Sequence, residues 1–252
     1  MFIDTHCHLT DEYANDADSI IERAKKSGVG AMICATANPK DIPGALELAQ
    51  KHQNLFITIG IHPDYWDTDA NHYLVDDILN NPLVIGVGEI GLDYHNGKYT
   101  RDSQIKLFEQ QLEIARRYNL PVAIHTRDAE EDTASVLTDK NFGVMHCFTS
   151  SWDLARVMLD RGFYFSASGI LTFKSAESIR ETFTKIPIDR IVIETDSPFC
   201  APVPYRGQKC EPSMIVETAK VLAQIKNLQL DELETILYDN TTRLYQKCHV
   251  KL

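Results

Sequence analysis

Short apolar runs alternate along this chain with longer stretches in which apolar residues return every three or four positions. The short runs are rich in Ile, Val and Phe: Phe2–Leu9, Ala31–Thr36, Leu55–Ile61, Leu83–Ile90, Pro121–His125, Gly143–Phe148, Tyr164–Ser168 and Arg190–Glu194. They read as continuous apolar strands, the form expected when helices cover the outer face of a parallel sheet. The intervening spacing predicts helices over Asp16–Ser27, Pro39–His52, Tyr73–Leu79, Arg101–Tyr118, Asp128–Thr138, Trp152–Asp160 and Ala176–Thr184. Two further helices, Met214–Lys226 and Asp231–Leu244, follow the last strand. Eight strand-plus-helix units predict an α/β fold, a (β/α)8 TIM-type barrel, as one domain over residues 1–252. A doubly wound sheet would place a glycine-rich phosphate loop after the first strand. That strand ends in His6 and His8 instead.

A barrel gathers the C-terminal ends of its strands at one mouth, so polar residues there are candidates for chemistry. His6 and His8 are two apart, the period of a strand, and leave the same face. Neutral imidazole is a common ligand for zinc-like metals. The other strand ends carry His62, Glu89, His125, His146, and Glu194 with Asp196. Such a set supplies enough donors for two divalent metal ions sharing one bridge. Glu89 is the candidate bridge, because a carboxylate has two oxygens to give. Two ions with a water between them are a device for hydrolysis. Cys7 alternates with the two histidines and reads as core, as does Cys147 beside His146.

Charge narrows the substrate question. The formal net charge is −11, from 25 Lys and Arg against 36 Asp and Glu. A broad basic surface for nucleic acid is excluded by that balance. An anionic substrate must therefore be met locally, with Arg127, Lys174, Arg206 and Lys209 as candidate cations. His62, ahead of Pro63, is a candidate phosphate contact, and Tyr94 and Phe173 are candidates for stacking on bases. Six cysteines without C-x-x-C spacing suit reduced thiols, and the chain is expected to be cytoplasmic. No apolar run approaches the roughly 18 residues of a membrane helix, and nothing at the N-terminus resembles a secretion signal. No obligate protein partner is indicated.

These residues also carry a family resemblance over the whole length. Ile3-Asp4-Thr5-His6-Cys7-His8-Leu9, Gly60-Ile61-His62-Pro63 and Gly88-Glu89-Ile90-Gly91-Leu92-Asp93-Tyr94 resemble stretches of TatD-type deoxyribonucleases, in the amidohydrolase-like barrel superfamily. So do Pro121 to Arg127, His146-Cys147-Phe148 and Glu194-Thr195-Asp196-Ser197-Pro198. The resemblance implies divalent-metal-dependent phosphodiester hydrolysis, typically on DNA ends. It implies one ion (Mg, Mn, Zn or Co) held by His6, His8, Glu89 and Asp196, and a second held by Glu89, His125 and His146. Asp196 is then placed to orient the attacking water or take its proton. Other branches of the superfamily bridge their metals with a modified lysine, and the fourth strand here offers Glu89 and no lysine. Exonucleolytic action on single-stranded DNA ends is expected, since a barrel mouth does not easily admit an intact duplex. His62, Arg127, Arg206 and Lys209 are the expected substrate contacts. Cys210 stands where the family often has Asn, which bears on substrate preference. Two other readings stay open. The same site could hydrolyse a small cyclic amide, lactone or phosphoester. A non-catalytic metal-binding scaffold would show a missing ligand, and none is missing.

Overall fold

The computed structural model describes residues 1–10, 13–95 and 101–250. Eight parallel strands pair in sequence order: β1 (Phe2–Cys7), β2 (Val29–Ala35), β3 (Leu55–Ile59), β4 (Val84–Asp93), β5 (Val122–Arg127), β6 (Gly143–Met145), β7 (Tyr164–Ala167) and β8 (Ile191–Ile193). Helices fill the connections: α1 (Ala17–Lys26), α2 (Ile42–Lys51), α3 (Ala70–Tyr73), α4 (Asp76–Leu79), α5 (Arg101–Tyr118), α6 (Glu130–Val136), α7 (Trp152–Asp160) and α8 (Glu177–Lys185). α9 (Ile215–Lys226) and α10 (Leu230–Leu244) follow β8. The segment after β8 closes the ring against β1. Asp196 N donates to His6 O at 2.9 Å and His8 N to Ser197 O at 2.7 Å. Asp4, fully buried, ties the same seam by accepting from Thr195 N at 2.9 Å and from the Thr195 hydroxyl at 2.5 Å. The (β/α)8 barrel expected from the alternation is therefore present.

Two apolar layers hold it. Inside the ring, Ile3, Ile33, Phe56, Ile85, Ala123, Val144, Tyr164 and Val192 give one residue from each strand, and Tyr245 and Leu244 pack against them. Outside, the opposite strand faces and the inner helix faces form the larger cluster, which includes Cys7, Ile57, Ile90, Leu112 and Phe165. Ile3 is an inner residue and Cys7 an outer one, although they are an even number apart. The register irregularity between Asp4 and Cys7 accounts for this: it resets the alternation just before the histidines.

Two elements depart from the expected bounds. The helix read over Tyr73–Leu79 is two short turns, α3 and α4, separated where the β-branched Val75 is extended. β4 runs three residues beyond Ile90, because β5 continues beside it and pairs Gly91 with His125, Leu92 with Thr126 and Asp93 with Arg127. α5 then locks two strand ends. Gln104 and Gln111, two helical turns apart and buried, each hold one backbone amide. Gln104 accepts from Asp93 N at 2.9 Å and donates to Asp93 O at 2.8 Å. Gln111 makes the same pair with Ile61, at 2.8 and 3.0 Å.

Gly91 is where the two site-bearing strands come closest. Its φ is +145°, and a Cβ there would sit 1.9 Å from the His125 carbonyl oxygen. Gly28 also has positive φ, +89°, but open space around it. Gly91→Ala is expected to cost about 2–4 kcal/mol in urea unfolding, from backbone strain plus overpacking. Gly28→Ala should cost only about 1 kcal/mol, the backbone part alone. Equal costs would show that the strand contact is not the constraint.

Candidate metal centre

Glu89 projects from β4 into the mouth of the barrel and is 5% exposed. Burial pushes its carboxyl up, but the His146 charge and hydrogen bonds from His125 and His146 outweigh that and hold it well below the usual range. Its two oxygens have separate neighbours. Oε2 lies 3.5 Å from both His6 Nε2 and His8 Nε2. Oε1 lies 2.9 Å from both His125 Nδ1 and His146 Nε2. Asp196 joins the first group, its Oδ1 3.6 Å from His8 Nε2.

The far side fixes the tautomer of three of the four rings. His8 Nδ1 donates to the Ala35 carbonyl at 3.0 Å. His125 Nε2 donates to Asp93 at 3.1 Å, and His146 Nδ1 to Glu194 at 3.3 Å. A carbonyl or carboxylate can only accept, so these nitrogens carry the protons. In these three neutral rings the inner nitrogens are then bare lone pairs: His8 Nε2 faces His6 Nε2 at 3.3 Å, and His125 Nδ1 and His146 Nε2 face one another at 3.4 Å. Facing lone pairs repel unless a proton or a cation lies between them. Donors at about 2.1 Å from one ion lie about 3.0–3.4 Å apart, which is the observed spacing. His6 Nδ1 is buried without a hydrogen-bond partner among the described residues. Imidazole and carboxylate together are a borderline donor set that suits Zn2+, Mn2+ or Co2+. The residues fit divalent ions, in two groups divided by Glu89.

The cavity above them has a volume of about 660 Å3. His62 lines it: its Nδ1 accepts from Asp64 N at 3.1 Å, which leaves Nε2 facing Glu89 Oε1 at 3.7 Å. Arg127 also lines it, with five carboxylates among the described residues: Asp41, Asp64, Glu89, Asp93 and Asp196. Arg206 and Lys209 do not. Arg206 stacks its guanidinium 3.6 Å from the Phe173 ring centroid, and the Lys209 ammonium sits 4.2 Å over Tyr13. Tyr94 bonds Asp132 through its hydroxyl. Cys210 is fully buried, its thiol 3.9 Å from Thr195 O, and does not line the cavity. Two cavity residues not expected from the sequence are Asp93, which orients His125, and Phe199, an exposed ring at the rim.

The profile of the family described as TatD related DNase matches residues 3–246. The chain belongs to that family. A metal-dependent hydrolase of Bacillus subtilis, YabD, is 36% identical over 253 residues, covering 98% of this chain and 99% of YabD. A metal-dependent hydrolase of Escherichia coli K12, YcfH, is 35% identical, covering 96% and 95%. The crystal structure of the TatD homologue YJJV from Escherichia coli K12 superposes with a TM-score of 0.87 at 28% identity, over 97% of this chain and 98% of that one. No helix among the described residues is long and apolar enough to cross a membrane.

Cations compete with protons at this TatD-family centre. Burial lowers His125, but hydrogen bonds to Asp93 and Glu89 outweigh it and bring its pKa up to about 8. Burial also lowers His146, and the Glu89 and Glu194 charges carry it well above the usual value. Below about pH 8 an incoming ion must therefore expel protons, and above it His125 offers none to expel. Metal affinity should rise from pH 6 to 8 by at least about tenfold per unit. Calorimetry in buffers of different ionisation enthalpy should show proton release at pH 7. Affinity independent of pH would contradict the arrangement.

Proposed function

We propose that this hydrolase cleaves phosphodiester bonds at single-stranded DNA ends, with one divalent ion at His6, His8, Glu89 and Asp196 and a second at Glu89, His125 and His146. The observation that carries this reading is the division of donors between the two oxygens of Glu89. Divalent ions held there would neutralise phosphate charge and acidify water for attack. Every other task falls to side chains. Burial raises the Asp196 carboxyl, but contact with His8 and the surrounding imidazole charge hold it below its usual range, so it is ionised at neutral pH. It can orient the attacking water and take its proton. His62 Nε2, directed into the cavity, serves as a donor to a phosphate oxygen. Arg127 at the end of β5 neutralises the next phosphate. Phe199 is 55% exposed beside the His8 ring, where it can stack on the terminal base. The cavity lies within the roughly 300–1,000 Å3 of small-ligand sites, which supports an end-acting enzyme over one that engages intact duplex.

The test is cleavage of an end-labelled single-stranded oligonucleotide with Mn2+, beside closed circular duplex, a lactone and a small phosphodiester. Stepwise shortening from one end is expected, with the circle intact and the lactone untouched. Glu89→Gln should lower the rate by more than about 100-fold, beyond the cost of changes outside the ligand set. With Arg127 the single Lys or Arg among the described residues of the cavity lining, log affinity should fall with log salt at roughly −0.7. A slope near roughly −5, nicking of the circle, or preference for the lactone would each defeat the proposal.

A further inference from the structure

Asp196 faces two ways. Its Oδ1 is turned to His8, while its Oδ2 accepts from the Cys200 thiol at 3.6 Å. Cys147 Sγ lies 3.1 Å from Ser168 Oγ. The two sulfurs and a carboxylate oxygen of Asp196 all fall within 4.8 Å of one another, in a group that contains none of the imidazoles. Both cysteines line the cavity. Among the described residues, Cys147 (φ 41°) and Cys200 (φ 56°) are the only positive-φ residues other than Gly, Asn and Asp. Such backbone is uncommon for other side chains, and both thiols that adopt it here meet at one carboxylate.

We infer that Cys147, Cys200 and Asp196 Oδ2 form a third metal site, selective for a thiophilic divalent ion such as Zn2+. Two sulfurs at about 2.3 Å from one zinc ion lie about 3.8 Å apart, so a group this compact closes on an ion by side-chain adjustment. Sulfur donors separate it chemically from the imidazole and carboxylate groups around Glu89, which accept harder ions such as Mn2+. Binding exchanges the two thiol protons, released to solvent, for the ion. One consequence rests on the role proposed for Asp196: an ion on Oδ2 draws the carboxylate away from the attacking water. Zinc in excess then inhibits where manganese in excess does not.

The site is tested without substrate, so it stands or falls separately from the proposed nuclease activity. Protein preloaded with Mn2+ and kept reduced with a phosphine is titrated with Cd2+. The signal is the ultraviolet sulfur-to-cadmium charge-transfer band, which imidazole and carboxylate ligands do not produce. We expect the band to saturate with one further equivalent in the wild type and to vanish in Cys147→Ala and Cys200→Ser. The serine keeps a hydrogen-bond donor for Asp196, so a thiol that merely positioned the carboxylate would leave no cadmium signal to lose. Cys7, Cys34, Cys210 and Cys248, at most 3% exposed, remain in both variants as an internal control. Unchanged Mn2+ stoichiometry certifies each fold, and wild-type protein alkylated at its half-buried thiols replaces a variant that fails this check. No band in the wild type, or a band that survives both substitutions and alkylation, overturns the site.

Discussion

A carboxylate buried at the mouth of a barrel, with no Lys or Arg against it among the described residues, must find its countercharge elsewhere. Glu89 is in that position, and imidazoles face it on both oxygens. Each imidazole is useful only if its inner nitrogen points at Glu89 with a free lone pair. That requirement propagates outward. Asp93, Glu194 and the Ala35 carbonyl hold three of the rings from behind. Asp93 is held in turn by Gln104 of α5, and the β1 histidines by the seam that Asp4 ties to Thr195. Gly91 lets β4 approach β5 closely enough for Glu89 and His125 to meet. Much of the polar structure inside the barrel mouth follows from stabilising one negative charge away from water.

The same charge sets the order of binding. Among the described residues, five carboxylates and one arginine line the cavity, so in the absence of cations they repel a phosphate. Bound divalent ions would reverse the local sign, because they become the largest charges present. The anionic substrate proposed above would therefore follow metal. This also reconciles a chain of net charge −11 with the polyanionic substrate proposed for it: the attraction would be confined to one cavity and would not involve the surface at large.

Side chains that belong to strand ends were legible from the sequence, and those acting across the fold were not. The barrel followed from the alternation of runs. The histidines, Glu89 and Asp196 followed from their places at strand termini, where a barrel converges whatever its loops do. Gln104 and Gln111 sit on a helix whose polar positions ordinarily face solvent, and their partners are 11 and 50 residues away. Asp4 reads as one polar residue in an apolar run, although its partner is 191 residues distant. Arg206 and Lys209 were correctly assigned to a loop, but loop membership does not give direction. The rings of Phe173 and Tyr13 hold both cations there. Cys147, read from the sequence as core, is instead half-buried in the cavity lining beside Cys200, because the segments after β6 and β8 approach closely there.

The central claim is that Glu89 divides its donors into two ion sites, one on each oxygen. Anomalous diffraction from a crystal soaked in Mn2+ addresses it directly. The account predicts two peaks about 3.5–4 Å apart, one beside Oε2 with His6, His8 and Asp196, the other beside Oε1 with His125 and His146. A single peak, or two peaks on the same side of the Glu89 carboxylate, would contradict it.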